Sequence, residues 1–207
     1  MLKLISLTVL WFLCSSVLYQ GTNDLAKIHG GKSNVKKEKL TQKSAATTSQ
    51  VEVKVPKFNF PSKGIYVVVD FSMPSNKKRL WVIKDKKILL NCRVAHGKNS
   101  GVIQTASFSN EPESFKSCYG NFISGKSYMG DKGLAMRIHG LDFGINHNAY
   151  RRGIVFHSGA YVSDAYLNRK GRIGRSLGCF VTEPKNNAKI IRWCRNGVRI
   201  FVLGKNS

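Results

Sequence analysis

One cysteine and one histidine stand apart in the second half of the chain. Cys179 follows Ser176-Leu177-Gly178, so a residue without a side chain precedes it and lets the backbone turn tightly with its amides facing outward. His157 ends the apolar run Ile154-Val155-Phe156 and leads into Ser158-Gly159, which should bring its ring out at a sheet edge. A thiol is a weak nucleophile until it loses its proton; its free pKa is about 8.5, and a neighbouring histidine can lower it by several units. The imidazole then returns that proton to a leaving amine. The amides of Gly178 and Cys179 would be placed to hold the oxyanion of a tetrahedral intermediate, a contribution often worth about 3–4 kcal/mol in the transition state. The chemistry these residue types allow is acyl transfer through a thioester.

Each residue also has a plainer reading. A cysteine after glycine is commonly a small buried hydrophobe, and a histidine at a strand end is commonly a satisfied structural residue. Histidines and a cysteine could instead ligate zinc, but their spacings fit no common closed site. Neither a metal nor a cofactor is expected. The five cysteines fall at 14, 92, 118, 179 and 194, and no pair has the two-residue spacing of a zinc knuckle or redox motif. With Cys179 unpaired as a nucleophile, at most one disulfide forms among Cys92, Cys118 and Cys194.

The elements that must position the pair are mostly strands. Apolar or β-branched runs at 65–71, 79–84, 87–94, 134–139, 153–157, 178–182 and 199–203 read as short strands, with a hairpin turn at Asp85-Lys86. Residues 184–194 read as the best helix, with Pro184 at an early helical position and Gly197 just past its end. Nineteen glycines punctuate the strands. Many short strands with turn signals predict a mainly β fold, a sandwich or barrel with one or two short helices.

Charge narrows the partners. Lys and Arg number 34 against 11 acids, a net charge of +23 with a pI near 10.1. Such an excess favours polyanions: nucleic acid, anionic lipid headgroups or an acidic wall polymer. No nucleic-acid motif or basic-aromatic platform is present. The expected surface is therefore an anionic wall or membrane, with no nucleic-acid partner. Compartment agrees. Lys3 precedes an apolar run over 4–13, shorter than the ~20 residues that span a bilayer, and Cys14, Ser15 and Ser16 supply small residues at a cleavage position. Residues 1–22 are read as a signal peptide or N-terminal anchor that exports the protein to the periplasm or cell envelope. Residues 23–50, rich in Lys, Ser and Thr, are read as a basic flexible linker, and 51–207 as the catalytic domain. A non-catalytic basic wall binder is the competing class.

From about Ala106 to Glu183 the chain resembles the L,D-transpeptidase catalytic family, in the branch with Arg-Ser-x-Gly-Cys where the commoner branch has Ser-His-Gly-Cys. The matching residues run in order. They are Phe108-Ser109-Asn110, Ser114 and Ser117, Tyr119 to Phe122, Gly140-Leu141 with Gly144, Asn148-Ala149 with Arg152, Ile154 to Ser163, and Gly174 to Cys179. The resemblance implies a largely β domain that attacks peptidoglycan stem peptides between an L-centre and the following D-residue. An amine, a lipoprotein side chain or water then resolves the acyl-enzyme; with water the activity is that of an L,D-carboxypeptidase. By position Cys179 is the nucleophile, His157 the base, and the Ser158 carbonyl the orienter of the imidazole, where other triads use an aspartate. Ser176 and Gly178 shape the cysteine loop and oxyanion site. Two departures stand out. Leu177 replaces the commoner branch's histidine, leaving His139 as a candidate substitute. Phe180-Val181 replaces the Asn or Arg often found after the cysteine, leaving Arg152 and Arg175 as candidates to meet substrate carboxylates.

Overall fold

In the computed structural model, residues 55, 56 and 59–204 are described; the expected leader or anchor and the basic linker lie outside them. Strand β1 (Ile65–Asp70) is a continuous apolar run because both its faces are covered. Val67 and Val69 enter the main core. Tyr66 and Val68 join Trp81, Ile83 and Phe201 on the other face, with Phe60 packed over them. β2 (Leu80–Lys84) and β3 (Lys87–Cys92) form the expected hairpin. Asp85 and Lys86 both take positive φ, 48° and 65°, whose twist suits a two-residue connection between strands.

A second hairpin, β4 (Gly120–Gly130) and β5 (Gly133–Gly140), turns at Asp131-Lys132. β4 was not among the expected strands, and its pairing shifts register between Ser124 and Ser127. β6 (Val155–Ser158) and β7 (Phe180–Thr182) pair in parallel. Between them lies helix α1 (Asp164–Lys170), also not expected. Its N-cap Ser163 accepts from the Tyr166 N–H at 3.2 Å, and Gly171 closes it with φ 68°. The expected helix forms as α2 (Pro184–Cys194), followed by β8 (Arg199–Leu203).

The strands make one sheet in the order β3-β2-β1-β8-β4-β5-β6-β7. Ala95, just past β3, bridges Val181 of β7, so the two edges meet and the sheet nearly closes into a barrel. The inside is filled by Val67, Val69, Leu80, Val82, Phe122, Met136, Ile138, Phe156, Phe180 and Ile200, with Ile190, Ile191 and Cys194 of α2 packed among them. Phe180 stacks on Phe156 with centroids 5.2 Å apart and on Phe71 at 5.7 Å. Each such ring, fully buried, contributes about 1.5–3 kcal/mol of hydrophobic stabilisation, which anchors the strand leaving Cys179. Cys92, Cys118, Cys179 and Cys194 are all free, so no disulfide is formed among the described cysteines.

Candidate active site

Strand alternation places the two residues expected to react, His157 and Cys179. Phe156 and Phe180 are partners across β6 and β7, and both point into the core. Val155, His157, Cys179 and Val181 therefore project from the opposite, outer face. There the crossover from β6 to β7 folds back over them. His157 and Cys179 line one cavity of about 350 Å³ together with Lys132, Tyr161, Arg175, Ser176 and Leu177.

The imidazole is fixed by its neighbour. His157 Nδ1 lies 2.9 Å from the Ser158 carbonyl oxygen. A carbonyl only accepts, so Nδ1 carries the hydrogen and Nε2 keeps its lone pair. Burial, with a smaller contribution from Lys132, lowers the His157 pKa below its ordinary value despite the carbonyl's opposing pull. The ring rests neutral.

Cys179 also rests neutral, contrary to the expectation of a thiol already depressed by its histidine. Burial raises its pKa, outweighing the Val155 N–H, Lys132, Arg152 and its own amide, which favour the thiolate. The thiol donates to the Gly153 carbonyl at 3.6 Å, just ahead of β6 and four residues before His157. Thiol and imidazole thus share a cavity without a preformed ion pair.

The cysteine loop is held from two sides. Ser176 Oγ donates to the Cys179 carbonyl at 2.7 Å and accepts from the Gly178 N–H at 3.1 Å. The Gly178 amide, one of the two expected at the oxyanion, is thus engaged inside the loop by Ser176 Oγ. Ser117 Oγ, fully buried, donates to the Gly178 carbonyl at 3.2 Å and accepts from the Gly97 N–H at 3.0 Å. Outside the loop, Ser176 N–H donates to the His96 carbonyl at 2.9 Å, and Lys98 N–H to the Ser176 carbonyl at 2.7 Å. His96 itself is pinned by the buried Arg79.

The three candidate substrate residues separate. His139 is not at the site. It lies on the outer face but four residues beyond Ala135, which stands level with His157, or about 13 Å along the strand; its ring stacks on Tyr150 at 4.6 Å. Arg152 is committed to the backbone, donating to the Ser109 carbonyl at 2.5 Å and the Lys116 carbonyl at 2.6 Å, and to Ser114 Oγ at 3.0 Å. It clamps the 109–116 segment rather than facing the cavity. Arg175 does line the cavity, steadied by the Lys98 and Gly101 carbonyls at 2.8 and 3.1 Å.

Two further lining residues were not among the expected site residues, although the sequence allows Tyr161 to line a groove as well as to pack in a turn. Tyr161 fits because Gly159 and Gly174 are bare: a Cβ at either would come within 2.8 or 2.5 Å of its ring. Burial, then Cys179, pushes its phenol up to about 12, so it remains a hydroxyl. The pairing of glycines around it is a signal that spacing alone does not reveal. Lys132 reaches the cavity from the β4–β5 turn, whose hairpin was not expected.

The sequence matches the L,D-transpeptidase catalytic domain family over residues 32–203, beginning within the segment read as linker. No curated protein matches it. Among solved structures, an L,D-transpeptidase from Mycobacterium smegmatis is 17% identical with a TM-score of 0.42, over 68% of this chain and 58% of that one. An L,D-transpeptidase from Stackebrandtia nassauensis is 18% identical with a TM-score of 0.40, over 70% and 57% respectively. The chain therefore spans less than two thirds of the length of these structures. With the family match running through nearly all of the described barrel, this chain belongs to the L,D-transpeptidase catalytic domain family.

Proposed function

We propose that this protein is an exported peptidoglycan L,D-transpeptidase that works through a thioester on Cys179, with His157 as its base. The observation that carries the reading is the shared cavity: the thiol and an imidazole with Nε2 free and Nδ1 tied to the Ser158 carbonyl line the same hollow. The leader-like residues 1–22 and the +23 charge support a place at an anionic envelope surface.

Starting from the neutral pair, the thiol turns from the Gly153 carbonyl toward Nε2 and transfers its proton there. The sulfur attacks the carbonyl carbon of the stem's L-centre, and the oxyanion meets the Cys179 amide. As the C–N bond breaks, the imidazolium protonates the departing amine of the D-residue. An acceptor amine then attacks the thioester, losing a proton to Nε2, and the thiolate leaves and is reprotonated. The Ser158 carbonyl stabilises the transient imidazolium as an aspartate would elsewhere. Arg175 offers a cation to a substrate carboxylate.

Purified protein with disaccharide-tetrapeptides should release the terminal D-residue and form crosslinked or exchanged product. Cys179→Ala should do neither while folding as wild type. Shortened stems without crosslinks would instead assign water as the acceptor and a carboxypeptidase activity. Turnover by Cys179→Ala equal to wild type would remove the proposed nucleophile.

A further inference from the structure

Lys132 sits at the tip of the β4–β5 hairpin, in Gly130-Asp131-Lys132-Gly133. The tip is tied to the reacting centre. Ser158 Oγ donates to the Lys132 carbonyl at 3.1 Å, and the same Ser158 holds His157 Nδ1 through its own carbonyl. One residue thus registers both the imidazole and the hairpin that carries the lysine. Lys132 and His157 line the Cys179 cavity and also a neighbouring hollow beside Tyr128 and Val155.

The charge of that cavity is one-sided. Its lining includes the cations Lys132 and Arg175 and no carboxylate. Among the described residues the ion pairs are Arg93–Asp164 and Lys185–Glu183, so neither cavity cation is neutralised by an acid within 4 Å. Lys132 is within electrostatic reach of both reacting groups, favouring the Cys179 thiolate and opposing protonation of His157. Arg152, the other nearby cation, is clamped to backbone carbonyls and lines a separate hollow beside Leu177 rather than this cavity.

We propose that Lys132 is a specificity residue that receives a carboxylate of a peptide residue adjoining the scissile bond, with Arg175 as the second cation of the cavity. This rests on Cys179 and His157 being the reacting pair. A cavity of this size accommodates only the groups flanking that bond. Two carboxylates there share the required chemistry: the terminal carboxylate of the departing residue, and a side-chain carboxylate on the acyl residue. An ammonium suits either because it is a compact point charge that needs no planar partner.

The test uses the purified protein, Lys132→Gln and Lys132→Arg, with stem peptides carrying both carboxylates, a terminal amide, a side-chain amide, or both amides. Lys132→Gln should raise KM for the free acid roughly 10- to 100-fold, the loss expected for one charge-assisted hydrogen bond, with a much smaller change in kcat. Lys132→Arg should recover most of that loss. On the amide of the carboxylate that Lys132 reads, wild type and Lys132→Gln should converge; which single amide does so names the source. An equal penalty on every peptide, including the doubly amidated one, would overturn the proposal and leave Lys132 a general electrostatic promoter of the thiolate. A wild-type KM for Lys132→Gln on the free acid would overturn it as well. If wild type turns over none of the peptides although iodoacetamide still labels Cys179, the reading of the site fails, and the role of Lys132 fails with it.

Discussion

Arg79 donates from Nη2 to Nδ1 of His96 at 2.7 Å, and both side chains are fully buried. Nδ1 accepts, so Nε2 carries the ring hydrogen and gives it to the Gly101 carbonyl at 3.1 Å. The rest of the guanidinium holds the Val94 and Met73 carbonyls and Thr105 Oγ1. Burial lowers Arg79 to about 9, with Asp70 pulling the other way, so it remains a cation at neutral pH. His96 must then stay neutral. Burial first, then the charge of Arg79 and more weakly of Arg175, lower its pKa to about 4 against the opposing Gly101 carbonyl.

An acid sensitivity follows from that pair. The unfolded chain takes up the proton near 6.5 and the folded one only near 4, so stability is full above 6.5 and declines as pH falls between those values. The loss is on the order of 3 kcal/mol at 1.36 kcal/mol per unit. Urea midpoints at pH 7, 5.5 and 4 should show that decline. His96→Gln keeps an acceptor for Arg79 and a donor for Gly101 without a titrating proton, so it should flatten the decline. An unchanged slope in that variant would count against the assignment.

Cys179 should alkylate as an unusually weak acid. Its half-buried thiol is desolvated and donates to Gly153 rather than to the imidazole, so the rate of iodoacetamide labelling should have its midpoint above the roughly 8.5 of a free thiol. His157→Ala should abolish turnover yet hardly move that midpoint. A rise of a unit or more on losing the imidazole would instead reveal a resting thiolate–imidazolium pair.

Legibility in the sequence followed regularity. β1, the β2–β3 hairpin and α2 could be read because each has an unbroken apolar pattern or a turn and cap of definite chemistry. β4 could not. Gly120, Gly125 and Gly130 and the polar Asn121, Ser124 and Ser127 interrupt its alternation, and it becomes a strand through ladders with β5 and β8. α1 buries none of its residues and had no apolar stripe to find. Cys179 and His157 were legible from their motifs, but their surroundings depend on distant contacts. Nothing local shows that Arg152 meets carbonyls 36 and 43 residues away, or that Ser117 reaches across 61 residues to Gly178.

Ser117→Ala tests the inner support of the cysteine loop. It removes a hydroxyl that satisfies the Gly97 N–H and the Gly178 carbonyl in a buried place. Leaving such groups unmatched costs about 1–3 kcal/mol. Thermal unfolding should shift down accordingly. Because the lost bond lies one residue before the sulfur, kcat should fall while KM stays near wild type. A variant with wild-type kcat would make Ser117 a matter of stability alone.

Gly178→Ala should be the most damaging single methyl group in the loop. Gly178 has φ +123°, where an L side chain is strained, at a cost of about 1–3 kcal/mol. Its Cβ would also lie 2.7 Å from Ile154 Cδ1 and 2.9 Å from the Lys116 carbonyl oxygen. The isoleucine can rotate away. The carbonyl cannot follow, because Arg152 Nη2 holds it at 2.6 Å. The loop itself must move, and the sulfur moves with it. Since a displacement of 1 Å at a reacting atom can cost about 100-fold in rate, kcat should drop by about that factor even though iodoacetamide still labels Cys179. Adding Ile154→Val should restore little, because the backbone contact remains. Wild-type kcat in Gly178→Ala, or full recovery in the double variant, would show that the Lys116 carbonyl does not fix the position of the Cys179 sulfur.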